Sequence, residues 1–175
     1  MGESLLFDDK NNGLYNQGME ELELIRQAVN QALKTMKEGV GGPFGAAIID
    51  PEGNVYVASN TVLGSADPTA HAEVNAIRTA CKAKGTHDLS GCILYTTCYP
   101  CPMCLGAIIW ANIKTIYYGA SPDDAAAIGF RDDYIYKFIE DKCRDQAVLK
   151  INRIKDYADC QKLFKVYAAD NREMY

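Results

Sequence analysis

Residues 92–96, 102–111 and 113–118 form three apolar runs separated by short breaks, and they read as a buried strand, a buried helix and a second strand. Strand, helix, strand in that order is the pattern of a parallel crossover, with a helix packed on a sheet.

The upstream sequence supplies the rest of the sheet. Runs at 44–50 and 55–59 flank Pro51-Glu52-Gly53-Asn54, whose turn formers predict an antiparallel hairpin. From Glu20, Leu22, Ile25, Val29, Leu33 and Met36 recur at three- and four-residue steps and predict an amphipathic helix ending at Gly39. Residues 1–17 show no periodicity and read as a loose arm, extending to about residue 18. Residues 64–69 read as a loop and 70–83 as a helix carrying Val74, Ile77 and Cys81. Further helices are expected at 123–128, 132–143 and 156–168. With no internal repeat or linker, the 175 residues predict a single α/β domain, a central sheet between helices.

Composition narrows the function. At 48% hydrophobic and 23% charged residues the chain matches a globular protein that buries a core without needing a metal or disulfide to fold. No run approaches the ~18 to 20 apolar residues of a membrane span, and the N-terminus lacks a signal pattern, so a cytoplasmic protein is expected. Seven cysteines are an odd number for a disulfide framework and point to metal or redox chemistry. A net charge of −5 gives no general attraction for phosphate backbones, which favours a small substrate over nucleic acid.

The chemistry concentrates in His71-Ala72-Glu73 and Pro100-Cys101-Pro102-Met103-Cys104, each at an expected helix start. Zinc takes nitrogen and sulfur ligands in a tetrahedron, and three protein ligands leave a fourth position for water. His71, Cys101 and Cys104 are that set, one Zn2+ per chain, with a bound water or hydroxide as nucleophile. The positive ends of the helices favour the thiolates. Glu73, close to the metal and not bound to it, is the base that takes the water's proton and passes it on. Two other readings remain: a closed structural zinc site needing His87 or another Cys as fourth ligand, and a Cys-x-x-Cys redox pair. Neither uses Glu73.

These motifs resemble the His-x-Glu and Pro-Cys-x-x-Cys signature of the cytidine deaminase-like superfamily. Gly41-Gly42-Pro43-Phe44-Gly45-Ala46, Asn60, residues 67–73, residues 101–108, Gly129-Phe130 and Ile135-Tyr136-Lys137 resemble its bacterial guanine deaminase branch. The resemblance implies a three-layer α/β/α sandwich around a mixed sheet, a homodimer in which a C-terminal segment can cross to the other subunit, and hydrolysis of guanine to xanthine and ammonia. It further implies Phe44, Asn60, Ala72, Trp110 and Tyr175 as substrate contacts and Asp132 as the acid that handles the 2-amino group. Each has a structural alternative: Phe44 and Trp110 as core, Asn60 as a turn residue, and Asp132 as a helix-start acid, with Asp133 next to it competing for the role. Tyr99 and Arg131 stand where many relatives carry acids. Alternatives of substrate are guanosine, cytosine or adenosine in transfer RNA, and a noncatalytic zinc-binding protein is the rival of another class.

Overall fold

The computed structural model describes residues 9–155 and 157–170. The chain divides into two compact units, Met1–Asp132 and Asp133–Tyr175.

In the first unit α1 (Asp9–Lys37) precedes a hairpin of β1 (Gly45–Ile49) and β2 (Val55–Ser59), followed by a short α2 (Val62–Ser65) and α3 (Ala72–Lys84). Then come β3 (Ile93–Cys98), α4 (Pro102–Trp110), β4 (Thr115–Ala120) and α5 (Pro122–Ala127). The strands lie in the order β2-β1-β3-β4, with β1 antiparallel to both β2 and β3, and β3 parallel to β4. The expected hairpin and the expected crossover through α4 are both present, and the sheet is mixed.

Alternation along the strands sends side chains to two helical layers. Ala46 and Ile48 of β1 and Leu94 of β3 meet Ala72, Ala76 and Ala80 of α3 and Ile108 of α4 in the main core. Replacing a fully buried Leu94 by alanine would cost about 2–5 kcal/mol, from lost transfer energy and the remaining cavity. On the opposite face lies α1, and here two expectations are corrected. The helix starts at Asp9, so residues 9–17 are helical and not a loose arm, while residues 1–8 fall outside the described residues. Its buried stripe is Leu24, Ala28, Ala32 and Thr35, whereas Leu22 at 64% exposure, Val29, Leu33 and Met36 face outward. Small side chains win because the helix lies close to the sheet. A Cβ built on Gly45 would come within 2.0 Å of the carbonyl oxygen of Ala28, so Gly45 and Ala28 let the two backbones approach where larger apolar residues could not. Gly39 takes the left-handed conformation expected after the helix, with φ of 69°.

A buried polar knot secures the hairpin turn to the end of α3. Asp50 accepts hydrogen bonds from the backbone and side chain of Asn54, from the Tyr56 hydroxyl and from Lys84 Nζ at 3.1 Å. Its side chain is 1% exposed, so these partners replace lost water.

The second unit holds the rest of α6 (Asp132–Glu140) and α7 (Ala158–Ala169). Lys137 and Asp133 pair one turn apart on α6 at 3.2 Å, and Leu163, Phe164 and Val166 of α7 are exposed.

Candidate active site

Two helix starts carry the metal-binding motifs, and local hydrogen bonds fix both. His71 is the N-cap of α3 and Cys101 the N-cap of α4, each in extended backbone conformation, with Pro102 opening α4. Ahead of His71, Asp67 accepts from the Thr69 backbone at 2.8 Å and from the Thr69 hydroxyl at 2.6 Å. Asn75, one turn into α3, donates to Ser59 O at 2.9 Å, Thr61 Oγ1 at 3.0 Å and Ala70 O at 3.2 Å. The end of β2 is thereby clamped to the loop that delivers His71.

The cluster fits a zinc ion by its own geometry. His71 Nδ1 lies 3.6 Å from Cys101 Sγ and 3.6 Å from Cys104 Sγ, and the three ligand atoms all lie within 4.8 Å of one another. Zinc–sulfur and zinc–nitrogen distances of about 2.3 and 2.0–2.1 Å at a tetrahedral angle separate nitrogen from sulfur by about 3.6 Å. Three ligands so placed leave one position open, which a closed structural site does not. The cysteines are electrostatically linked: a hydrogen bond from Cys104 pulls the Cys101 thiol down, His71 adding to the effect, while Cys104, which supplies that bond, is pushed up. The positive end of α4 acts in the same direction on Cys101.

Glu73 stands beside this cluster and is buried. Its Oε1 accepts from Thr96 Oγ1 at 2.8 Å, and its Oε2 lies 3.3 Å from Cys104 Sγ. One carboxyl oxygen therefore faces the sheet and the other faces the metal ligands. Burial pushes the acid's pKa up, in the direction that makes a carboxyl able to return a proton as well as take one.

Above the cluster a cleft of about 350 Å³, counting its mouth, is lined by His71, Glu73 and Cys101 together with Phe44, Asn60, Phe130 and Asp132. Phe44 and Phe130 meet edge to face with ring centroids 4.7 Å apart, forming an apolar wall. Asn60 presents a defined polarity. Its Oδ1 accepts from the backbone N–H groups of Gly42 and Val62, both at 3.2 Å. Because those groups can only donate, the oxygen must face them, and the amide nitrogen is the end left for the cleft. Gly41 is required beside it, since a Cβ there would fall 1.8 Å from Asn60 O.

The model of the cytidine and deoxycytidylate deaminase zinc-binding region matches residues 19–120. The chain is 47% identical over 130 residues to guanine deaminase of Bacillus subtilis, covering 74% of this chain and 83% of that protein. The chain belongs to the cytidine and deoxycytidylate deaminase family. Its backbone superimposes on the X-ray structure of guanine deaminase from Bacillus subtilis with a TM-score of 0.81 at 42% identity, over 87% of this chain and 97% of the other. It is also 38% identical over 118 residues to a tRNA-specific adenosine deaminase of Haemophilus influenzae, covering 64% of this chain and 67% of that protein. As a member of this family the chain is a zinc-dependent hydrolytic deaminase, and the mixed four-stranded sheet with its helices is the deaminase fold.

Of the residues expected to contact substrate in this deaminase, Phe44, Asn60 and Asp132 line the cleft. Asp132 does so and Asp133 does not; the latter pairs with Lys137. Ala72 is fully buried at the start of α3, in the core. Trp110, the last residue of α4, is 67% exposed and is not among the described residues that line the cleft. Tyr175 lies outside the described residues. The cleft also contains Cys98 and Tyr99, to which sequence reasoning gave no role, and Phe130, which it gave none beyond resemblance. Cys98 shares the three-residue spacing of Cys101 and Cys104, which was a visible signal. Tyr99 packs edge to face on Tyr118 at 5.1 Å, a tertiary contact with no sequence signature.

Proposed function

We propose that this chain hydrolyses guanine to xanthine and ammonia, with Glu73 as the proton carrier and Asn60 and Asp132 as the polar contacts that hold the base. The observation that carries the reading is the single cleft in which a hydrogen-bond donor and a carboxylate stand over a three-ligand metal cluster with a buried carboxyl beside it. The relationship to the guanine deaminase of Bacillus subtilis supports the choice of base. A net charge of −5 supports a free base over an RNA stem-loop.

His71, Cys101 and Cys104 would hold the zinc, which when bound would lower the pKa of a water to near neutral. The protein does the rest. Phe44 and Phe130, packed edge to face, form one apolar wall against which the flat base lies. Asn60 donates its amide N–H to an acceptor on the purine, fixing which edge turns inward. As water adds at the carbon bearing the amine, Glu73 takes the water's proton at Oε2 and delivers it to a ring nitrogen. Glu73 Oε2 then takes the second proton, from the hydroxyl that the added water has become, and gives it to the amine; the C–N bond breaks, the hydroxyl becomes the new carbonyl of xanthine, and ammonia leaves while Asp132 accepts from its N–H. Guanine and water go in, and xanthine and ammonia come out in equal amounts.

The same reading has the enzyme working in the cytoplasm as a homodimer. Among the described residues no helix is long and apolar enough to cross a membrane. Support for the dimer comes from the apolar side chains exposed on the outward face of α1, Leu22, Val29, Leu33 and Met36, and on α4, Ile109 and Trp110. The test is incubation of zinc-loaded protein with guanine. Xanthine and ammonia should appear one to one, and guanine left intact by protein carrying one zinc per chain would refute the substrate assignment.

A further inference from the structure

Thr96 belongs to none of the motifs that carry the chemistry. It is the fourth residue of β3, paired with Ala46 of β1, and it is completely buried on the face that β3 turns towards α3. A polar hydroxyl at such a position needs a partner. Two acceptors are in reach, Glu73 Oε1 at 2.8 Å and Gly45 O at 3.4 Å. A hydroxyl has one proton to give, and the shorter contact takes it.

We propose that Thr96 is a positioning residue for the reaction: its hydroxyl anchors Glu73 Oε1 to the sheet and thereby makes Oε2 the oxygen that moves protons. The inference rests on the reading of Glu73 as the proton carrier. Thr96 is suited to the task because its branched side chain is stiff about χ1 and its backbone is locked between β1 and β4. The hydroxyl is therefore a fixed point, and Glu73, arriving from the first turn of α3, is held to β3 through Oε1 with its Oε2 on the side of Cys104. The donated hydrogen bond occupies Oε1 whether Glu73 is ionised or carries a proton. A transferred proton then resides on Oε2, the oxygen beside the metal ligands, and the carboxyl need not turn over between taking a proton and giving it. No bond to substrate is made by Thr96 itself.

The experiment compares Thr96→Val, which keeps the shape and removes the hydroxyl, with Thr96→Ser, which keeps the hydroxyl and removes the methyl. Zinc content, thermal midpoint, KM for guanine, kcat and the Kd of xanthine are measured on each, with Glu73→Gln as reference. In the valine variant kcat should fall about ten- to a hundredfold, the worth of one hydrogen bond to a charged group. Zinc should stay near one per chain, and KM and the xanthine Kd within about twofold, because substrate contacts are untouched. The serine variant should recover kcat to within a few-fold of the parent. Parental kcat in Thr96→Val while Glu73→Gln is inactive overturns the positioning role alone. Should Glu73→Gln retain turnover, the reading of Glu73 falls first and this inference with it. A loss in the valine variant that merely follows lost zinc overturns the proposal, and so does a serine variant as slow as the valine one. If Thr96→Val does not fold, the serine variant decides: it keeps near-parental kcat if the hydroxyl is what matters.

Discussion

Asn60 performs two tasks with opposite ends of one amide, and two substitutions separate them. Its oxygen accepts from the Gly42 and Val62 backbone, holding the turn after β2, which leaves its nitrogen as the end available to the cleft that Asn60 lines. Asn60→Ala removes both accepted bonds and leaves two backbone donors in a half-buried turn unpaired, at roughly 1–3 kcal/mol each, so a loss of about 2–6 kcal/mol of stability is expected. It also removes one neutral hydrogen bond to the base, about tenfold in kcat/KM. Asn60→Asp keeps an oxygen for the two backbone donors but turns a second oxygen towards an acceptor on the purine. Two acceptors then face each other, and kcat/KM should fall by about a hundredfold or more. The two orders cross. Stability should run parent, Asp, Ala, and kcat/KM should run parent, Ala, Asp. Thermal melts and steady-state xanthine formation measure both. An aspartate variant more active on guanine than the alanine variant would show that Asn60 does not donate to the base.

Glu73→Gln should keep zinc and fold and lose about a hundred- to ten-thousandfold in kcat, since an amide cannot carry the proton; near-parental turnover would exclude the carboxyl as carrier. Cys101→Ser should lower bound zinc well below one per chain by metal analysis, and unchanged loading would remove Cys101 from the ligand set. Asp50 gives an acid signature: burial pushes its carboxyl up, but hydrogen bonds from Asn54, Lys84 and Tyr56 more than offset this and hold it below the usual range. A depressed folded-state pKa means stability that is present above the unfolded value of about 3.9 and lost as pH falls below it. The thermal midpoint should therefore drop on acidification through pH 4 more steeply in the parent than in Asp50→Asn, and equal slopes would contradict the assignment.

Much of this site was legible because zinc chemistry restricts residue types and spacing: His71, Glu73, Cys101 and Cys104 are named by their motifs, and the structure brings them to one point. The hairpin and crossover were legible because strand and helix periods differ. Periodicity misled at α1, where the larger apolar stripe faces outward and the alanines bury, because contact distance between helix and sheet is set by the partner Gly45 and not by the helix's own pattern. Helix formation over residues 9–17 also overrode a stretch that reads as polar and irregular. The roles of Thr96 and of Phe130, named only within the family resemblance, were hidden for a different reason. Each matters through a neighbour distant in sequence, Glu73 in one case and Phe44 in the other, and a single sequence holds no trace of such pairing. The polarity of Asn60 was equally hidden. As a residue type an amide both donates and accepts, and only the placement of Gly42 and Val62 decides which end is spent.

On the proposed reading, this zinc-dependent deaminase acts on guanine as a free base. The most direct measurement is kcat/KM for ammonia release, on one zinc-loaded preparation, across guanine, guanosine, adenine, cytosine and an RNA stem-loop bearing adenosine in its loop. Guanine should exceed every other substrate by at least about a hundredfold, because a donor at Asn60 and an acceptor at Asp132 match its edges. Comparable or faster release from the nucleoside, another base or the RNA would contradict the account.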